Sequence, residues 1–332
     1  MGELTLIEKI RELIGDPGPG TRIGLGDDGA VLEPSSGLTI LTCDAFVEGV
    51  HFRRDFASLR DVGYKCMVAN LSDVAAMGGF PAQAVVSLCV APGISEADVL
   101  DLYAGMLAAT RKYGAEIVGG DVVSSPSELV VSVAMLGVVD PGRVVTRRGA
   151  VPGDAIVVTG ALGGSETGLR ALCAGLPVDA STEEVVRRHL APCPRIAEAQ
   201  AIIDVATPHA MLDVSDGLST DLWHMADESA VGLTLRESAV PVLPAAADVA
   251  DRLGLDPSSV ALASGEEFEL VVALAASEVE RTEEHLSAVT GTRLTRIGEI
   301  TERGAGCVLV RKDGSTEPLG RSGYEHEIGS GR

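Results

Sequence analysis

Residues 58–81, SLRDVGYKCMVANLSDVAAMGGFP, decide how the chain folds. Ser58-Leu59-Arg60-Asp61 has the S-x-x-D form of a helix-opening capping box, and Gly78-Gly79 ahead of Pro81 is a stop, so the spacing predicts one helix of about five turns. Val62, Cys66, Ala69 and Asp73 fall at i, i+4, i+7 and i+11, which places the Asp73 carboxylate on a stripe that packs away from water. A carboxylate there loses hydration and, late in the helix, faces the negative end of the dipole, so a cation or several donors must compensate. Asn70, one turn earlier, is a candidate donor. A lone Asp so placed reads as one that reaches the surface or caps a neighbour, but Asp73 is not alone.

Upstream, a strand over residues 38–42 delivers Cys43-Asp44 at its end. Before it, an amphipathic helix over 4–13 gives way to GDPGPGTRIGLGDDGA (15–30), whose breakers predict a mobile loop without regular structure. That loop ends in Asp27-Asp28 between glycines, a pair that repels itself unless exposed or bound to a cation. Downstream, residues 82–90 form an apolar strand that reads as covered on both faces. A helix from Ser95 to Gly114 follows, then a short strand over 116–118 leading into Gly119-Gly120-Asp121, and a long strand over 129–139.

The second half opens with a strand over 155–159, glycines 160–164 and a helix from Ser165, an order that suits a phosphate although it matches neither G-x-G-x-x-G nor the P-loop. Such glycine turns are more often plain connections. Helices fill 183–206, and MLDVSDGL (211–218) sets Asp213 and Asp216 around Ser215 at a strand-to-helix junction, with Ser215 or Asp216 as the helix cap. Ser264-Gly265-Glu266-Glu267 precedes a strand over 268–274, and a helix over 277–290 with strands near 294–300 and 307–311 completes the chain. The irregular alternation predicts an α+β fold, with an N-terminal domain over 1–140, a linker over 141–152 and a C-terminal domain over 153–332.

A formal charge of −22 with only four lysines argues against nucleic acid or an anionic membrane as partner. The start MGELTLIEKI lacks the basic and apolar pattern of a signal peptide, and no run reaches the roughly 18 apolar residues of a membrane span, so a cytoplasmic location is expected. The six cysteines form no C-x-x-C pair and lie mostly in apolar runs, which predicts buried free thiols.

Asp27/Asp28, Asp44, Asp73, Asp121, Asp213/Asp216 and Glu266/Glu267 each have an ordinary structural explanation. Together they have the chemistry of oxygen ligands for hard cations, because Mg²⁺ is held by a few carboxylates, waters and phosphate oxygens. Several Mg²⁺ beside a glycine-rich loop point to a nucleoside triphosphate, on a scaffold with neither a P-loop lysine nor the kinase signature set.

GDDGAV, CDAFVEGVHF, YKCMVANLSDVAAMGGFP, GGD, GRVVTRRGAVPGD, DVSDGL, GEEFEL and GYEH, in this order and spacing, resemble the thiamine-monophosphate kinase family of the aminoimidazole-ribonucleotide-synthetase-like (PurM-like) superfamily over nearly the whole chain. The resemblance implies a two-domain fold whose N-terminal strands form a β-barrel shared in a homodimer, a C-terminal α/β layer, and ATP in the groove between the halves. It implies transfer of the γ-phosphoryl group of ATP to thiamine monophosphate, giving thiamine diphosphate, with several Mg²⁺. Asp44, Asp73, Asp121, Asp213 and Asp216 would carry the catalysis as metal ligands, together with Asp28, Thr42 and the backbone carbonyl of Cys43. Gly120, Asp121, Arg147 and Ser215 would contact ATP, and His51, Glu266 and Tyr324 thiamine monophosphate. Cys43 stands where the family usually has Thr or Ser, Glu267-Phe268 replaces Asp-Tyr, and Arg321 occupies an often aromatic position. The alternatives are another ATP-using activity of the superfamily and a non-catalytic ATP/Mg-binding protein. Selenophosphate synthesis is disfavoured because no cysteine lies in the glycine loop before Cys43, and hydrogenase maturation because the tail GYEHEIGSGR has no terminal cysteine.

Overall fold

A computed structural model describes residues 3–25 and 29–326. The chain forms two compact units, Met1–Val144 and Val145–Arg332, each with its own sheet.

The first unit runs α1 (Glu3–Ile14), β1 (Thr21–Ile23), β2 (Val31–Leu32), β3 (Leu38–Val47), α2 (Leu59–Ala76), β4 (Phe80–Val90), α3 (Glu96–Tyr113), β5 (Glu116–Ser124) and β6 (Val130–Val139). Its four-stranded sheet has the order β3-β6-β4-β5 and is antiparallel except for β4 with β5, a parallel pair joined through α3. α2 starts where its capping residue predicts, with Ser58 Oγ accepting the Asp61 N–H. α3 carries the full reciprocal box between Ser95 and Asp98.

α2 packs on α3 and on β3 and β6, which is why Cys66, Met67, Val68, Leu71 and Val74 are fully buried although they spread over more than half of the helix circumference. Burial of each large apolar side chain contributes about 1.5–3 kcal/mol. The two helices meet backbone to backbone. A Cβ on Gly63 would stand 1.9 Å from the Leu102 carbonyl oxygen, and one on Gly105 would stand 1.9 Å from that of Arg60.

Several local expectations change here. β3 does not end at Thr42 but continues to Val47, because its ladder with β6 runs on to the pair Val47 with Val130, so Asp44 lies inside the strand. β5 likewise runs through Asp121, paired with β4 as far as Ser124. The breaker-rich stretch contains a short antiparallel pair, β1 with β2, and Thr21 is fastened there by its hydroxyl bond to Glu116 Oε2 at 2.9 Å. β4 is not covered on both faces, since Val85 is 41% exposed beside a buried Ala84 and Val86. The cysteines are all free, but Cys43 and Cys173 are exposed and only Cys66 and Cys307 are buried. Strand alternation accounts for Cys43, whose sulfur faces Ser132 on the sheet surface away from the helices.

The second unit contains β7 (Asp154–Thr159), α4 (Gly164–Ala174), α5 (Ala180–Leu190), α6 (Ile196–Val205), β8 (Ala210–Asp213), α7 (Leu218–Ser229), β9 (Gly232–Arg236), α8 (Pro244–Arg252), α9 (Pro257–Ala263), β10 (Leu270–Ala275), α10 (Val279–Thr290), β11 (Leu294–Thr301), β12 (Cys307–Val310) and β13 (Thr316–Pro318). Its sheet order is β13-β12-β9-β11-β7-β10-β8, antiparallel except for β9 with β12. Val158, Leu212, Leu222, Leu235, Val271 and Ile297 belong to one core that joins sheet to α7 and α9. β10 begins at Leu270 rather than at Phe268, because Phe268 has a left-handed backbone, φ +53°, that no strand accommodates. Among the described residues no helix is long and apolar enough to cross a membrane.

Candidate active site

In the first unit the even-numbered residues of β3 point under α2, and this brings Thr42, Asp44 and Asp73 together. The Thr42 hydroxyl donates to Asp73 Oδ2. Thr42, rather than Asn70, is the partner: the Asn70 amide donates to the Cys66 carbonyl at 3.1 Å, and its own Oδ1 is buried without a partner. Asp44 Oδ2 is also buried, with no hydrogen-bond partner among the described residues. Burial, and then the neighbouring Asp73 charge, push the Asp44 carboxyl up to about 7. The Cys66 thiol beside them is pushed up by burial and by Asp44. The donor set of Thr42, Asp44 and Asp73 is all oxygen and includes a buried carboxylate oxygen without a partner among the described residues, a chemistry that fits a hard divalent cation.

Asp121 is not part of this group. The ladder aligns Asp44 with Val133, Val86 and Gly120, whereas Asp121 falls in the next row with Ser87 and Ser132, on the opposite face and three strands away. Gly120 is needed where it stands, since a Cβ would lie 2.1 Å from the Val86 carbonyl oxygen. His51 is held locally: its Nδ1 accepts the Val47 N–H at 3.1 Å and its ring lies 5.3 Å from that of Phe46. Asp27 and Asp28 lie outside the described residues. A cleft of about 320 Å³, lined by Arg11, Arg22 and Glu116 among others, opens elsewhere in this unit and, among the described residues, includes none of the acidic set.

In the second unit the loop after β8 and the loop before β10 are fastened by backbone bonds. Glu266 N–H donates to the Ser215 carbonyl at 2.7 Å, Phe268 N–H to that of Val214 at 2.9 Å, and Tyr324 N–H to that of Asp216 at 2.8 Å. Asp213, Ser215, Asp216, Glu266 and Tyr324 are thereby gathered. Arg147 lies on an exposed segment whose preceding residue, Thr146, accepts the Met211 N–H at the outer edge of β8.

Neither Ser215 nor Asp216 caps α7. Gly217 is the N-cap, and its N–H donates at 3.0 Å to Oδ2 of Asp221, one turn into the helix. Asp221 is a residue the sequence reading missed. It is 3% exposed, and burial followed by Asp213 and Asp216 pushes its carboxyl well above the usual range. His224, also missed, has a ring nitrogen that groups with carboxylate oxygens of Asp216 and Asp221, all within 4.8 Å of one another. D-x-x-H (221–224), two residues after DVSDGL, was the available signal, because residues three apart share a helix face.

The N-terminus of α4 is not open to a phosphate. The Glu267 carboxylate fills it, accepting the Ser165 N–H at 3.0 Å and the Ser264 hydroxyl, while Ser264 Oγ accepts the Glu166 N–H at 3.0 Å. Burial pushes the Glu267 carboxyl up to about 7, against the two bonds from Ser264 and Ser165. Glu267 and Phe268 are 5% and 3% exposed, so both departures from the family pattern lie in the scaffold. Arg321 covers the Trp223 ring at 4.9 Å and pairs with Asp227 at 2.6 Å.

Known proteins share this organisation. The AIR synthase related protein N-terminal domain matches residues 26–139 and the corresponding C-terminal domain matches 151–311, which defines a two-domain PurM-like protein of mixed α/β content. The thiamine-monophosphate kinase of Bacillus subtilis (strain 168) is 34% identical over 310 residues, 92% of this chain and 93% of that protein. Among solved structures, the thiamine-monophosphate kinase of Stenotrophomonas maltophilia K279a superposes with a TM-score of 0.83 at 32% identity, over 95% of this chain and 98% of that one. AaThiL complexed with AMPPCP and TMP superposes with a TM-score of 0.78 at 30% identity, over 98% and 97%. The chain belongs to the thiamine-monophosphate kinase family.

Proposed function

We propose that the chain phosphorylates thiamine monophosphate, using ATP as donor and yielding thiamine diphosphate. The observation that carries this beyond family membership is the buried Asp44 Oδ2, without a partner among the described residues, beside the Thr42–Asp73 pair, an arrangement of oxygens that suits a cation. Thr42, Asp44 and Asp73 in the first unit, and Asp213 and Asp216 in the second, would hold Mg²⁺, with Asp121 as a separate ligand. When bound, Mg²⁺ neutralises the triphosphate and screens the repulsion between two phosphates.

The chain's own residues align donor and acceptor. Ser215 and Gly120 offer backbone and hydroxyl groups to ATP, Arg147 a guanidinium, and Glu266, His51 and Tyr324 meet the acceptor. No group needs to form a bond to phosphorus, so positioning and charge stabilisation supply the rate. The test is ADP production with thiamine monophosphate as the varied substrate. ATP binding without thiamine-dependent ADP would leave a nucleotide-binding protein and end this reading.

The protein acts as a homodimer in the cytoplasm. The support is the sheet face of the first unit turned away from its helices, where Leu41 is 71%, Val85 41% and Val123 42% exposed. Pairing that face with a second copy would cover it and remove open edges, as a shared barrel does. A monomer in sedimentation at micromolar concentration argues against it.

A further inference from the structure

Glu266 and Phe268 have φ of +55° and +53°, and the only other non-glycine residue so placed among those described is Ala230, at the end of α7. A residue with a Cβ is strained in this region, and such strain persists only where its surroundings over-determine it. Here the surroundings converge on the residue between the two. Backbone bonds to Ser215 and Val214 pin Glu266 and Phe268, while the Glu267 carboxylate is locked into the N-terminus of α4 by Ser165 and Ser264. Two residues beyond Glu267, Glu269 is fully buried and gripped by Arg195 through Nε at 2.7 Å and Nη2 at 2.5 Å, with the Thr159 hydroxyl at 2.6 Å. The outcome is a turn whose alternate side chains diverge: Glu267 inward, and Glu266 outward with its side chain 28% exposed beside His189.

A helix cap alone accounts for the bonds of Glu267. It does not account for left-handed residues on both sides, nor for a glutamate at 266 where glycine would remove the strain. We propose that Glu267 is a positioning residue for the phosphoryl acceptor: its carboxylate on the N-terminus of α4 holds Glu266 in the left-handed conformation from which the Glu266 side chain meets thiamine monophosphate. This rests on the reading that Glu266 contacts that substrate.

The test is steady-state kinetics of the full chain, with ATP and thiamine monophosphate varied separately, for Glu266→Gln, Glu267→Ala and Glu267→Gln. Glu267→Ala should raise KM for thiamine monophosphate about tenfold, the size of losing one charge-assisted hydrogen bond, with KM for ATP within about twofold of the parent. Glu267→Gln, which keeps an acceptor oxygen at the same reach, should recover most of that loss. If Glu267→Ala lowers Tm and kcat while KM for thiamine monophosphate stays put, Glu267 is a helix cap only and the proposal fails. Should Glu267→Ala not fold, Ser264→Ala loosens the same carboxylate: a rise of about threefold in that KM supports the proposal, and no change overturns it. Glu266→Gln separates the two levels. An unchanged KM there removes the underlying substrate contact, whereas a raised KM with Glu267 variants silent removes only the positioning role.

Discussion

Asp44 in the first unit and Asp221 in the second are both carboxylates pushed toward their neutral forms by burial and by neighbouring acids. They differ in what meets them. Asp221 Oδ2 receives the Gly217 N–H, so the protein closes that arrangement with its own backbone. Asp44 Oδ2 receives no hydrogen bond from any described residue. The difference marks Asp221 as a brace that shapes the loop carrying Asp213, Ser215 and Asp216, and leaves Asp44 with the open oxygen that the proposed cation would use.

The largest effect expected from this contrast is on turnover. Asp73→Asn and Asp216→Asn should each lower kcat by roughly two to three orders of magnitude, the scale of losing one preorganised electrostatic stabiliser, with the fold intact. Near-parental activity of either variant at saturating Mg²⁺ would show that its carboxylate holds no cation.

Stability against pH comes next. The ordinary Asp value is 3.8 and Asp44 sits at about 7 when folded, so its contribution is fully present below pH 4 and is lost as pH rises through 7. The metal-free protein should lose about 2–4 kcal/mol over that interval on account of this group, and Mg²⁺ should restore it at pH 8. Asp44→Asn should flatten both trends in thermal melts. A pH slope and a Mg²⁺ response that survive the substitution would place the cation elsewhere.

Asp221 offers the complementary experiment. Asn keeps an oxygen for the Gly217 N–H, so Asp221→Asn should change unfolding free energy by less than about 1 kcal/mol, whereas Asp221→Ala should destabilise by about 1–3 kcal/mol. Equal losses from the two would mean that its charge, and not its acceptor oxygen, is what matters.

The smallest effect belongs to Cys43, whose sulfur lies on the face away from Asp44. Cys43→Thr should leave the Mg²⁺ and Mn²⁺ dependence of activity nearly unchanged, since only a backbone carbonyl could reach a cation from that position. A marked shift in metal preference would refute this backbone-only role.

How much of this was legible in the sequence follows from the range of the interactions. Asp73 on a buried helix and the capping residue Ser58 are local facts, and period and spacing reveal them. Thr42 as the partner of Asp73 joins residues of two elements 31 positions apart, which no period encodes. Asp44 and Asp121 read as strand ends because the acids looked like terminators, but β6 and β4 continue the ladders past them. The turn at 266–268 was hidden for the opposite reason: its left-handed positions hold Glu and Phe rather than glycine. β9, α8 and α9, at five, nine and seven residues, were too short to stand out from the apolar background around them.

The contact of Gly63 with Gly105 sets a mechanical condition on the chemistry. Helices that touch through side chains have a compressible layer between them, and small displacements are absorbed there. α2 and α3 have no such layer at this crossing, so a shift of α3 passes undamped into α2. Asp73 lies ten residues further along the same rigid rod, about 15 Å away at 1.5 Å per residue. The rod that carries Asp73 is therefore seated on α3 at a backbone contact, and a Cβ at either glycine would force the two helices apart there.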